Sequence, residues 1–139
     1  MKFVIVDPKK RSVETVDLGD LHSALIEAGL SPGEVDHGAL SRRMGYVVYQ
    51  FGMFVPATEQ HYCAIAGRLI AGAAVLYGVG DEGETVDLMK SAVPDVDFLL
   101  GVNDVENAIY VGKVKRPVLS VNGETLWQWP QKAPPGMMP

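Results

Sequence analysis

"RLIAGAAVLYGVGDEGETVDL", Arg68 to Leu88, is the stretch on which the reading of this chain turns. Its first half is a long apolar run rich in small and β-branched residues, which reads as strand. Its middle, "GVGDEG" from Gly78 to Gly83, has the spacing G-x-G-x-x-G of a loop that cradles a dinucleotide pyrophosphate. Such a loop must open a helix, whose N-terminal N–H groups face the phosphates. A hairpin turn needs the opposite, a strand immediately after Gly83. Charge favours the turn. Asp81 and Glu82 lie between the second and third glycines and Glu84 follows, and each carboxylate close to a phosphate costs on the order of 1–4 kcal/mol. Glycines also supply the positive φ that tight turns require. The acidic spacing is not that of an EF-hand loop, so no metal is expected there. The segment "ETVDLMKSAV", Glu84–Val93, fits either a returning strand or a helix of about three turns.

Toward the N-terminus the pattern is clearer. "KFVIVDP" and "SVETVDL", joined by "PKKR", predict an opening hairpin. "GDLHSALIEAGL" places Leu21, Ala24, Leu25 and Ala28 at helical spacing, with Asp20 as N-cap and Gly29 as the stop. "GYVVYQF" and "HYCAI" predict strands, and "FGMFVPATEQ" between them, which contains Pro56, predicts a loop or edge. Toward the C-terminus, "DVDFLLGV" and "AIYVGKV" predict strands. "RPVLSVNGETLWQW" predicts a hairpin turning at Asn122-Gly123. "PQKAPPGMMP" predicts an extended tail. The expected fold is therefore α+β, mostly antiparallel hairpins with one helix packed on the sheet, as a single domain over residues 1–130 with a tail over 131–139.

Composition narrows the functional classes. With 139 residues, 47% hydrophobic and 21% charged, the chain can bury a core without metal or disulfide staples. A net charge of −5 argues against nucleic acid and anionic membrane as partners. The single cysteine, Cys63, and the shortness of the N-terminal apolar stretch point to a cytoplasmic protein.

The order of "YVVYQFG", "IAGAAVLYGVGDEGE" and "TVDL" resembles a family of small domains of unknown function found mostly in phage and plasmid genomes. The similarity spans about Met1–Leu88. The family's "N-E-E-G" character in the middle hairpin is replaced here by "YQFGMF", and the chain after Leu88 is additional. The resemblance implies a mobile-element accessory protein and supplies no mechanism.

No catalytic constellation stands out. His22, His37 and His61 lack the H-x-x-x-H or C-x-x-C spacing of a zinc site, and Ser120 lies beside a hairpin turn rather than in a nucleophile elbow. His61 and Cys63 would share one face of a strand, which allows a contact that lowers a thiol pKa or simply a buried cysteine. Arg42, Arg43 and Arg68, joined by His37, are the candidates for an anionic ligand, because guanidinium groups match phosphate and carboxylate in a fork; solvated surface charge is the plainer alternative. Trp127 and Trp129 are candidates for a subunit interface or for core packing. The sequence thus predicts a non-enzymatic binding or interaction module, without cofactor, that self-associates or binds a protein. The alternative is a small anionic-ligand or nucleotide-binding protein using the Arg/His cluster.

Overall fold

The computed structural model describes residues 1–54 and 60–132. In chain order its elements are β1 (Lys2–Asp7), β2 (Ser12–Asp17), α1 (Leu21–Glu27), β3 (Val35–Ser41), β4 (Met44–Tyr49), β5 (His61–Ile65), β6 (Arg68–Ala71), β7 (Ala74–Val79), β8 (Thr85–Val86), β9 (Val96–Leu100), α2 (Gly101–Tyr110), β10 (Val118–Val121) and β11 (Glu124–Gln128). The long apolar run is divided between two sheets. Leu69–Ala71 belongs to a three-stranded sheet of order β6-β5-β9, and Ala74–Val79 to a six-stranded sheet of order β2-β1-β7-β4-β3, with β8 paired to β7. Gly72, at φ +77°, makes the switch between them, a conformation that a side chain would strain. All the pairings are antiparallel.

The run is apolar throughout because its strands are covered on both faces. Alternate residues of β7 part company: Ala74 and Leu76 pack with Val4, Val6, Cys63, Ile65 and Ile70 between the sheets. Val75 packs with Phe3, Val47, Ala24 and Leu25 beneath α1. On the far side of the smaller sheet, Tyr62, Ala64 and Leu69 pack against Val105 and Ala108 of α2 and against Trp127 and Trp129. The layers are thus α1, the large sheet, the small sheet, then α2 with the C-terminal hairpin. Three clusters of buried side chains fill the spaces between them.

The "GVGDEG" question is settled by the backbone. Gly80 N–H donates to the Glu84 carbonyl at 2.8 Å and Gly83 N–H to the Gly80 carbonyl at 3.1 Å. Val79 then pairs with Thr85 and Gly78 with Val86. A strand follows the third glycine, so there is no helix end for a pyrophosphate and the stretch is a turn.

The α+β class and the hairpins hold, with two corrections. The described residues hold two α-helices rather than one: "AIYVGKV", expected as strand, contains the last turn of α2 and its stop. Val102, Val105, Ala108 and Ile109 recur at helical spacing on the face that packs against the small sheet. Asp104 reaches back to accept from Leu100 N–H at 2.9 Å, and Gly112 at φ +80° ends the helix. The second correction is β3, an added strand on the edge of the large sheet. Its residues Asp36, His37, Gly38 and Ser41 lack β-propensity, but pairing along β4 overrides this. Elsewhere the local signals hold. The Asp20 carboxylate caps α1 by accepting from Ser23 N–H, and the backbone of Asn122 and Gly123 takes positive φ at both positions, as a type I′ turn demands. Half of the expected loop Phe51–Gln60, residues 55–59, and most of the tail, residues 133–139, lie outside the described residues.

Candidate functional site

The four residues expected to hold an anion do not converge. Arg42 and Arg43 form the β3–β4 turn. Arg43 is already ion-paired, Nη1 to Asp81 Oδ1 at 2.6 Å, across to the acidic β7–β8 turn. His37 pairs with Val47, whose side chain packs beneath α1, so His37 lies on the α1 face of the large sheet. Arg68 lies on the other face. Its guanidinium sits 5.6 Å from the centre of the Tyr46 ring, and Nη1 donates to the Tyr46 hydroxyl at 3.3 Å. The Tyr46 ring itself covers Gly38, occupying the space a Cβ would need.

Arg68 keeps different company. It lines a cavity of about 670 Å³ with Lys113, Lys115 and Arg116, along with Tyr46 and Asp36. This lies where the β5–β6 turn, the segment after α2 and the start of β10 meet. Ala66 and Gly67 both take positive φ in that turn, and Lys115 N–H donates to the Gly67 carbonyl at 3.3 Å, fastening the two segments. Two of the four cations are paired with carboxylates. Arg116 forms a fork with Glu106, at 2.7 and 2.6 Å, and its Nη1 also donates to the Trp129 carbonyl at 3.0 Å. The fork to Arg116 holds the Glu106 carboxyl below its ordinary pKa and raises that of Arg116. Lys113 faces Asp97 at 3.5 Å. Sequence reasoning missed Lys113, Lys115 and Arg116 because they fall across a boundary: Lys113 lies in the expected strand "AIYVGKV", Arg116 opens the expected hairpin, and Lys115 stands between them. The readable signal is a basic run directly behind a glycine helix stop.

A larger cavity, about 790 Å³, adjoins the β7–β8 turn and is lined by Asp81, Glu82, Glu84 and Asp87 with Arg43 as its one cation. Its charge repels phosphate. Among the described residues no group of three His, Cys, Asp or Glu is placed to hold a metal ion, and no helix is long and apolar enough to cross a membrane. The Cys63 thiol is buried between the sheets, and burial pushes it up to about 12. This is the reverse of an activated thiol.

Trp127 and Trp129 are placed in the core of their own chain, 6% and 0% exposed. Trp127 meets Phe54 edge-on at 5.0 Å and Trp129 meets Tyr62 at 5.9 Å, while Trp129 Nε1 donates to the Tyr62 hydroxyl at 3.4 Å. They anchor the β10–β11 hairpin and leave its other apolar residues outside. Val118, Val121 and Leu126 are 56%, 50% and 47% exposed. At the end of α2, Tyr110 is 90% exposed and Val111 more than half. β10 and β11 pair with each other alone among the described strands.

Set against known proteins, the chain matches no family model, no curated protein and no solved structure.

Proposed function

We propose that this chain is a non-enzymatic interaction module that self-associates through its C-terminal hairpin. The observation that carries the reading is the uncharged, apolar edge of β10. Proteins commonly guard sheet edges with charge. Here β2 carries Glu14 and Asp17, β3 carries Asp36, β6 carries Arg68, β9 carries Asp97 and β11 carries Glu124. Among the described edge strands of four residues or more, β10, "VLSV", alone has no charged side chain. A two-stranded hairpin is also marginal by itself. A second copy of β10 offers it a matching antiparallel strand and covers Val121 and Leu126, which makes the contact isologous. A partner edge of another protein is the second occupant that this surface suits. A role among phage or plasmid accessory proteins draws its support from the similarity over Met1–Leu88.

A contact centred on one short strand belongs with transient interfaces, below about 1,200 Å² in total, so association is expected at micromolar concentrations or above. Sedimentation equilibrium tests it. The weight-average mass should rise from the 15.0 kDa of one chain toward twice that value with concentration. Val121→Lys with Leu126→Lys should hold it at the monomer while leaving thermal unfolding nearly unchanged. A monomeric wild-type chain at every concentration, or a double variant that associates equally well, would overturn the reading.

A further inference from the structure

We infer that the cleft between the β5–β6 turn and the segment after α2 is a binding site for a small phosphate monoester, held by Arg68 and Lys115. The chain as a whole is acidic, with 17 Asp and Glu against 12 Lys and Arg. Yet this one cavity gathers four cations and a single acid, Asp36. Such a concentration against the overall charge makes a local positive field that draws an anion to the cleft. Its volume of about 670 Å³ falls in the range of small-molecule sites.

The engaged pairs determine which cations remain for a ligand. Arg116 is committed to Glu106 and Lys113 faces Asp97, whereas Arg68 and Lys115 have no acidic partner among the described residues. Two uncommitted positive charges match a dianionic phosphate. Arg68 is also pre-positioned. Its guanidinium lies 5.6 Å from the centre of the Tyr46 ring and Nη1 donates to the tyrosine hydroxyl, so part of its side-chain freedom is already spent before a phosphate docks. Tyr46, Met53 and Val118 add an apolar wall, which suits an organic ester rather than free phosphate. Arg42, Arg43 and His37 stand outside the cleft.

Calorimetric titration of the full chain with phenyl phosphate and, separately, inorganic phosphate tests the site at low and at physiological salt. Phenyl phosphate should bind saturably and more tightly than inorganic phosphate. Arg68→Ala and Lys115→Gln should each weaken it about tenfold, while Arg42→Ala leaves it unchanged. Thermal unfolding checks that each variant folds, and should Arg68→Ala fail to fold, Lys115→Gln decides. Absence of saturable binding, or equal loss in the Arg42 and Lys115 variants, would overturn the assignment. Because the readout is ligand heat and Arg68 and Lys115 lie outside β10, loss of binding in their variants is distinguishable from loss of self-association through the hairpin.

Discussion

Cys63 and Trp129 show how single side chains are fixed in this molecule. Cys63 faces Ile70 across β5 and β6, fully buried between the sheets. In the folded chain its thiol holds its proton to about pH 12, whereas an exposed thiol gives it up near 9.0. Between those values the unfolded chain binds fewer protons than the folded one, so stability falls as pH rises from about 9. The burial-raised phenol of Tyr62 acts in the same direction. A thiol reagent should therefore leave the native protein unlabelled at neutral pH and react at once in denaturant; rapid labelling of folded protein would contradict this burial. Trp129 is the largest fully buried side chain. Its replacement by Ala removes an edge-on aromatic contact and leaves a cavity, at a cost of about 3–5 kcal/mol. In a domain of this size that lowers Tm by roughly 10 °C or more, which calorimetry would measure. The paired tryptophans were legible as candidates for an interface or the core, and their aromatic character alone did not decide between the two. The scatter of Arg42, Arg43, His37 and Arg68 was not, because nothing in local sequence tells which face of which sheet a strand residue takes.

At the level of elements, α2 and the hairpin are tied by one side chain. Arg116 grips Glu106 on the helix and the Trp129 carbonyl just past β11. Arg116→Ala should cost about 1–2 kcal/mol, toward the low end of charged hydrogen bonds because both groups are partly exposed. Arg116→Lys should recover only part, since an ammonium cannot make the fork. Chemical denaturation of the two variants gives the comparison, and equal stability of wild type and Arg116→Ala would contradict the tie. The pair is also acid-sensitive. Arg116 holds the Glu106 carboxyl below 4.5, so its contribution is complete above that value and is lost as pH falls through the lowered one. Caps and turns were readable because their signals are local: Asp20, Gly29 and Asn122-Gly123 each act within a few residues. α2 was misread because its buried residues are β-branched or small and the run Ala108–Val111 across its end has the composition of a strand. β3 could not be read because its stability comes from β4, far from anything its own residues prefer.

Over the whole molecule, charge and apolar surface are segregated. Carboxylates crowd the β7–β8 turn, cations gather in the cleft behind α2, and uncharged apolar residues collect on the outer hairpin. The antiparallel α+β class was legible from hairpin signals. The layering was not, because the run Leu69–Val79 looks like one strand until Gly72 sends its halves to different sheets. That layering leaves β10 as an unguarded edge, and the proposed self-association pairs two such edges. Hydrogen exchange of the β10 amides at two protein concentrations tests it most directly. The N–H groups of Val118–Val121 that do not bond to β11 should exchange more slowly as concentration rises, with β2 and β3, the charged edges of the large sheet, unaffected. Exchange at β10 that is fast and independent of concentration would contradict it.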